Sequence, residues 1–368
     1  MNNQPNIFNY ATSELSQDAF IAWLVEWADK KYKPENEALH HLGLSFLSSL
    51  VEKQNIALSE ISNLKIRTQY HKIDVFVSFE MKGKTYGIII EDKVFTNHHS
   101  NQLTKYRKFI ERQNYDVVVP IYFKTGFQHC YKDVMDKGYY PYTVKNFIEI
   151  LKKGITAGID NAIFVNYFEY ISERAKWFDG AKYSFENYES LPISEWNWWS
   201  CSGFFNDHSV LFNGNWGPVG NRREPLLAFY FGSKNLHVTT EKGSVSVMPY
   251  IDMTYSNNTI RVNFRIGLNN NPQTNKKLRD KIFNAFQPYL DKARIQYKKP
   301  AFRKASKTML LAQIININLS INHHELKELL LKYRQILIEF VDDYNKREDR
   351  SIGLDSTNEE QNAISNPN

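Results

Sequence analysis

The chain contains little cysteine and no long apolar run, and both absences limit what it can be. Only two cysteines, Cys130 and Cys201, occur in 368 residues, too few for a disulfide framework or a four-cysteine zinc site. No stretch approaches the roughly 18 consecutive apolar residues of a membrane span, and the N-terminus lacks the basic start and apolar core of a signal peptide. We therefore expect a protein of the reducing cytoplasm with no membrane partner.

The remaining composition is that of a folded globular protein. Hydrophobic residues make up 42% of the sequence and aromatic residues 14%, and the length of 368 residues suffices for two ordinary domains. The formal net charge of +6 is a mild bias toward polyanionic partners such as nucleic acids, and alone it excludes little.

Apolar periodicity predicts a mixed α/β domain over residues 1–180. Helices are expected at about 14–31, 35–52, 100–113, 144–153 and 160–178, and strands at about 63–70, 72–80, 85–94 and 116–123. Thr12 or Ser13 can cap the first helix. The segment from Met81 to Lys84 has the composition of a hairpin turn. Pro120 predicts that the last of these strands lies at a sheet edge or carries a bulge.

Beyond residue 180 the sequence predicts a separate α+β domain over residues 181–350, followed by a polar, disordered tail over 351–368. Strands are expected at about 226–231, 236–240, 244–250, 259–267 and 307–317, and helices at about 274–293 and 322–346. The aromatic cluster 196–199 could stack on unpaired bases, although clustered aromatics more often form core. The basic segment 292–307 could contact phosphates or simply face solvent.

A charged tripeptide, Glu91-Asp92-Lys93, ends the apolar run 86–90. A buried strand does not end in charges unless other groups offset their desolvation. Alternation along a strand places Glu91 and Lys93 on one face and the Asp92 side chain on the other. Asp74 lies within the preceding predicted strand. These two carboxylates can hold a divalent metal, and the backbone carbonyl of Asp92, between the Glu91 and Lys93 positions, can add a ligand. Such a metal supplies the activated water and the charge neutralisation that phosphodiester hydrolysis needs.

Asp74, the hairpin and the Glu91-Asp92-Lys93 tripeptide together resemble the signature of the PD-(D/E)XK nuclease superfamily. Ile73 stands where some members of the superfamily have a proline. The residues around Glu14 resemble the opening helix of a bacterial branch in which a helix glutamate joins the site. The resemblance covers about residues 6–150.

A further element after the tripeptide resembles the QxxxY motif of RecB-like members of the superfamily. Gln102 and Tyr106 form this element, and because they are four residues apart on a predicted helix, they share a face.

The resemblance implies a restriction-endonuclease-like mixed sheet flanked by helices, with the activity of a Mg²⁺-dependent nuclease that Mn²⁺ can also support. It implies a nucleic-acid substrate, DNA in preference to RNA, and a role in prokaryotic anti-phage defence or DNA processing. It also implies a function for each matching residue: metal binding by Asp74, Glu91, Glu14 and the Asp92 carbonyl, orientation or activation of water by Lys93, and support of the site by Gln102 and Tyr106.

Other interpretations of the same residues stay open. The charged cluster could be a structural salt bridge at a sheet rim. Glu14 could serve only the helix dipole, and Asp18 on the same helix face is a rival for its role. The adjacent pair His98-His99 could suggest a metal, but such loop histidines are usually solvated.

The alternative function is a nucleic-acid-binding or assembly module that keeps the nuclease fold without cutting. The C-terminal domain could select the substrate, bind a protein partner, form a homodimer or gate the nuclease in response to a ligand.

Overall fold

The computed structural model describes most of the chain, and the chain divides into two compact units, Met1–Lys182 and Tyr183–Asn368. The described residues are 5–11, 14–94, 101–220, 225–232, 234–241, 243–268, 276–302 and 307–364, with 349–364 described through the backbone only. The proposed capping residues Thr12 and Ser13, the pair His98-His99 and residues 303–306 of the basic segment lie outside these ranges.

The N-terminal unit is built around one five-stranded mixed sheet. Its described helices are α1 Glu14–Glu26, α2 Glu37–Val51, α3 Gln102–Glu111, α4 Lys132–Asp136, α5 Val144–Thr156 and α6 Ala162–Glu186. Its strands are β1 Ile61–Tyr70, β2 Ile73–Met81, β3 Lys84–Lys93, β4 Val117–Lys124 and β5 Tyr140–Thr143. The strands lie in the order β1-β2-β3-β4-β5. The pairs β1–β2 and β2–β3 are antiparallel, and the pairs β3–β4 and β4–β5 are parallel. The predicted mixed sheet flanked by helices is confirmed.

Both faces of this sheet are covered by helices, which is why its central strands read as continuous apolar runs. Val75, Ile88 and Ile90 belong to a core shared with α1, α2, α5 and α6. Phe76 and Ile89 point the other way, into a smaller core with α3 and α4. The charged residues Glu91, Asp92 and Lys93, which continue β3 beyond its apolar run, are therefore buried.

Two-residue turns close both ends of β2. Tyr70 pairs with Ile73, so residues 71 and 72 form the β1–β2 turn. Met81 pairs with Lys84, so residues 82 and 83 form the β2–β3 turn that the sequence predicts. All four turn residues have positive φ, the backbone conformation that type I′ hairpin turns require.

The prediction that Pro120 marks an edge strand or a bulge is wrong for the strand as a whole, although it holds locally at Pro120. β4 lies between β3 and β5, and its pairing with β3 runs without a register shift. β5 pairs only with residues from Ile121 to Lys124, so at Pro120 the described sheet continues on the β3 side alone. The strand is locally an edge at that point, which explains how a residue without an N–H is accommodated.

Other elements of the N-terminal unit also differ from the sequence expectation. The first helix ends at Glu26, and a separate 3₁₀ turn over Lys30–Tyr32 follows, with the Asp29 side chain accepting from a backbone N–H. α4 and β5 were not predicted, because four or five residues are too few to show a period. α6 continues past Gly180, where the change in composition predicts a break.

The C-terminal unit contains a second, antiparallel sheet. Its described helices are α7 Trp198–Phe212, α8 Lys276–Lys292 and α9 His323–Ile364. Its strands are β6 Asn215–Val219, β7 Leu226–Gly232, β8 Leu236–Thr240, β9 Gly243–Ser256, β10 Thr259–Leu268, β11 Tyr297–Lys298 and β12 Thr308–Ile314. They lie in the order β11-β12-β10-β9-β7-β6, with β8 paired to β9.

The aromatic cluster of this unit contributes to its core. Trp196 is 4% exposed, its indole N–H donates to the carbonyls of Tyr188 and Leu191, and its ring packs against Phe204. Trp196 is therefore not placed to stack on a base.

The last described helix extends into the segment that the sequence predicts to be disordered. The helical backbone of α9 covers residues 351–364, where the sequence predicts a disordered tail; their side chains lie outside the description, and that expectation stays a prediction. No helix among the described residues is long and apolar enough to cross a membrane.

Candidate active site

The ends of β2 and β3 bring Asp74, Glu91 and Lys93 together on one side of the N-terminal sheet. Lys93 Nζ lies 2.6 Å from Glu91 Oε1 and 3.2 Å from Asp74 Oδ2. The same ammonium group donates to the backbone carbonyl of Asp92 at 2.6 Å. Asp74 Oδ2 also accepts the Asp92 N–H at 2.9 Å. Three oxygen atoms from two strands thus surround a single cation.

Helix α3 adds a polar side chain to this group. Gln102 Nε2 donates to Glu91 Oε1 at 2.6 Å and to the Tyr106 hydroxyl at 3.2 Å. Gln102 therefore fixes the orientation of the Glu91 carboxyl, and Tyr106 in turn contacts Gln102. Both side chains face the sheet, because residues four apart lie on one face of a helix.

Glu14 lies at the first turn of α1 and reaches the end of the same strand. Its Oε1 accepts the backbone N–H of Val94 at 3.0 Å, so α1 is tied to β3 just beyond Lys93. Its negative charge is among those that raise the pKa of Lys93. Glu14 thus lies near the cluster and contacts the backbone of its strand.

The charges of the cluster are strongly coupled. Burial raises the pKa of Glu91 to about 8, and the neighbouring Asp74 charge adds to the shift. Burial alone would lower the pKa of Lys93, but the charges of Glu91 and Asp74 raise it above its usual range. The lysine is therefore ionised at neutral pH, whereas the buried Glu91 carboxyl holds its proton more tightly than a free carboxyl does.

One carboxyl oxygen of the cluster lacks a hydrogen-bond partner among the described residues. Glu91 is fully buried, and its Oε2 has no hydrogen-bond partner within the described ranges. Leaving such a group unsatisfied costs about 1–3 kcal/mol, which a cation in contact with it would offset. Glu91, Asp74 and the Asp92 carbonyl form an all-oxygen donor set, the kind that Mg²⁺ and Mn²⁺ prefer.

The donor set depends on the backbone as well as on side chains. Across the parts of the chain that the structure describes, no three His, Cys, Asp or Glu side chains form a group that could hold a metal. Two carboxylates and a carbonyl on adjacent strands, beside a buried lysine, are nevertheless the residues that a nuclease of this signature needs.

Comparison with known families identifies the unit that carries this site. Residues 5–185 match the family model of the PD-(D/E)XK nuclease superfamily. The N-terminal half of the chain belongs to this superfamily. Searches of curated proteins and of solved structures found no match. The C-terminal unit begins at Tyr183 and lies almost entirely outside the matched residues.

The Asp92 side chain of the PD-(D/E)XK domain points to the opposite face of the sheet, as alternation predicts. There its Oδ1 accepts from Gln17 Nε2, while Gln17 Oε1 accepts the Thr125 hydroxyl at 3.0 Å. Asp18 lies beside it and accepts from Gln69 at 3.2 Å. Asp18 therefore belongs to a separate buried network behind the cluster.

This network contains a pair of acids. Asp18 Oδ1 and Asp92 Oδ2 are buried with no hydrogen-bond partner among the described residues, and burial raises the pKa of Asp18 to about 7, with the Asp74 charge adding to it. Burial followed by the Asp18 charge also raises the pKa of Asp92 well above its usual range. A proton retained by the pair at neutral pH satisfies both carboxyl groups. The sequence signal for this network is that Gln17 and Asp18 follow Glu14 on α1 by three and four residues.

The substitution Asp18→Asn should stabilise the protein in a pH-dependent way. A carboxyl whose pKa is raised on folding loses stability as the pH rises from its unfolded value near 4 to its folded value of about 7. Asparagine removes that loss, so the stability advantage of the variant should grow by about 3–4 kcal/mol between pH 4 and pH 7.5. Melting curves of the full chain measure it, with Glu26→Gln on the exposed side of α1 as the control. An advantage that does not change with pH would contradict the raised pKa.

Lys124 is a second buried lysine that the sequence did not indicate. It ends β4, pairs with Lys93 in the parallel ladder and is 1% exposed. Burial lowers its pKa to about 8, while the charges of Glu14 and Asp92 oppose that shift. The only sequence signal for it is its position at the end of the strand that follows α3.

Proposed function

We propose that the PD-(D/E)XK domain is a Mg²⁺-dependent nuclease, also active with Mn²⁺, that hydrolyses phosphodiester bonds. One observation carries the proposal: Asp74, Glu91 and the Asp92 carbonyl surround the Lys93 ammonium, and buried Glu91 Oε2 has no partner in the described part of the domain. A structural salt bridge alone would not require an oxygen buried without a partner.

Each residue of the cluster has a separate task in this proposal. Asp74, Glu91 and the Asp92 carbonyl hold the metal, which when bound supplies Lewis acidity and neutralises charge on the scissile phosphate. Lys93 orients the attacking water and holds positive charge beside the phosphate. Gln102 keeps the Glu91 carboxyl in position. Glu14 supports the end of β3 through the Val94 N–H.

The finer assignments follow from the superfamily. DNA is the preferred substrate over RNA, and prokaryotic anti-phage defence or DNA processing is the biological setting, in the cytoplasm. The C-terminal unit selects the substrate or a protein partner, or pairs two copies of the chain so that both strands of a duplex are cut.

Incubation of the purified full chain with labelled nucleic acids tests the activity. Single- and double-stranded DNA and RNA are each offered with Mg²⁺, with Mn²⁺ and with EDTA. We expect cutting that requires metal, faster on DNA than on RNA. Binding of nucleic acid without cutting under any of these conditions would contradict the proposal and favour a non-catalytic binding module.

A further inference from the structure

The β1–β2 turn is unusual in its sequence. His71 and Lys72 have φ values of 51° and 72°, and Lys82 and Gly83 in the β2–β3 turn have φ values of 51° and 71°. The two turns thus share a backbone conformation, but only the second has glycine, the residue that adopts it without strain. Non-glycine residues kept in strained conformations cluster at functional sites. The side chains of the β1–β2 turn therefore need an explanation other than turn formation.

The strained turn lies at the same end of the sheet as the metal-binding cluster. Asp74 follows Lys72 by two residues, whereas the β2–β3 turn closes the opposite end of β2. The His71 ring packs on Phe109 of α3 with centroids 4.3 Å apart. α3 is also the helix whose Gln102 contacts Glu91, so one helix connects the turn to the site.

Exposed cations surround this corner of the domain. Lys72 in the turn, Lys105 and Lys108 on α3 and Arg112 directly after α3 are exposed, and none of the four forms an ion pair with a described residue. Spacings of three and four residues place Lys105, Lys108 and Arg112 on one side of the helix. The only acid within α3, Glu111, is paired with Arg107 at 2.7 Å. Among the described residues of the β1–β2 turn and α3, the exposed cations therefore outnumber the acids, and the one acid is already paired.

Another cation extends this surface along β1. Arg67 is exposed, and its guanidinium lies 4.7 Å from the centroid of the Tyr70 ring. The Tyr70 ring in turn lies 6.1 Å from Phe109. The turn, the strand before it and α3 are therefore held together by ring packing beneath their charged ends.

We propose that these residues form a phosphate-binding surface that guides the nucleic-acid backbone into the active site. We name it the cationic rim, and it consists of Arg67, His71, Lys72, Lys105, Lys108 and Arg112. The inference rests on the proposed function, because the rim borders the site at which that function places the scissile phosphate. Charge complementarity selects the ligand: exposed cations that form no ion pair with a described residue match the negative charges of a nucleic-acid backbone.

The turn provides a sharp test because the expected effects on stability and binding have opposite signs. The double variant His71→Asn/Lys72→Gly receives the Asn-Gly pair that this backbone favours, so its melting temperature should rise by about 2–4 °C. Its affinity for nucleic acid should fall about threefold to tenfold, and the slope of log affinity against log salt should decrease by about 1 for the lysine removed. Binding is measured by anisotropy of a short fluorescein-labelled DNA duplex in EDTA, so that no cleavage occurs.

The β2–β3 turn supplies the matched control. Lys82→Asn also creates an Asn-Gly turn with the same φ values, at the end of β2 away from the site. We expect it to raise the melting temperature without changing the affinity for the duplex. Equal affinities for the two turn variants would overturn the proposal, since the turn residues would then have only a structural effect.

The helix is tested separately. Lys105→Gln/Lys108→Gln should weaken binding about tenfold or more and lower the salt slope by about 2. Lys152→Gln/Lys153→Gln on α5, which packs on the other face of the sheet, should leave both quantities unchanged. Absence of duplex binding by the wild type would overturn the inference. Weaker binding of the rim variants alongside an inactive wild type would support the rim and contradict only the proposed cleavage.

Discussion

Replacing Lys93 with methionine should reduce cleavage by roughly 10²–10⁴-fold while leaving Mn²⁺ binding at least as tight as in the wild type. Lys93 Nζ lies among the same three oxygen atoms that we assign to the metal. A metal ion and the ammonium group therefore compete for those oxygen atoms. Methionine removes the competing charge and the hydrogen-bond donors but keeps a side chain of similar length. Cleavage of labelled DNA and calorimetric Mn²⁺ titration measure the two effects.

The matched control for this variant is Lys84→Met. Lys84 is at the exposed start of the same strand, far from the cluster, and its replacement should change neither cleavage nor metal binding. Unchanged cleavage by Lys93→Met would remove the lysine from the chemistry. A parallel loss of cleavage and of Mn²⁺ binding would contradict the competition that the geometry implies.

The substitution Glu91→Gln should weaken Mn²⁺ binding by at least about tenfold. The reason is specific to Glu91 Oε2, which is buried without a partner in the described domain. Glutamine keeps the shape of the side chain but replaces a charged oxygen ligand with a neutral amide, and hard divalent cations prefer carboxylate oxygen. Calorimetric titration of the full chain with Mn²⁺, without nucleic acid, measures the affinity and also detects a site if the protein proves inactive.

Glu80→Gln is the control for this measurement. Glu80 belongs to β2 and alternates onto the same face as Asp74, but it is exposed at the opposite end of the strand. The Glu80→Gln variant should bind Mn²⁺ as tightly as the wild type does. If Glu91→Gln binds Mn²⁺ as tightly as Glu80→Gln, Glu91 is not a metal ligand, and the unpartnered Oε2 has another explanation.

Local rules explain why the centre of the site could be predicted from the sequence. Strand alternation alone places Glu91 and Lys93 on one face and the Asp92 side chain on the other. A two-residue hairpin fixes the register of β2 against β3, which brings Asp74 to the same end of the sheet. The four-residue spacing of Gln102 and Tyr106 then defines one helix face. None of these steps requires knowledge of the tertiary structure.

The surroundings of the site depend on long-range packing and could not be predicted in the same way. Lys124 meets Lys93 only because two strands separated by α3 pair in parallel. Asp18 meets Asp92 only because α1 packs across the sheet. Pro120 predicts an edge strand, but β4 lies inside the sheet; the proline is accommodated because β5, four residues long, pairs with only part of β4. Register between distant elements is set by the packing of the whole unit, which periodicity does not report.

The most direct test of the central claim is Mg²⁺-dependent cleavage by the wild-type chain compared with Asp74→Ala. We propose that Asp74 binds the metal, and its carboxylate also contacts Lys93 at 3.2 Å, so its removal should affect two functions of the site at once. We predict that the wild type cleaves labelled DNA and that EDTA abolishes this cleavage. We also predict that Asp74→Ala does not cleave and that Glu80→Ala cleaves as the wild type does. Equal, metal-independent cleavage by all three proteins, or none by the wild type with any metal or substrate, would contradict the account.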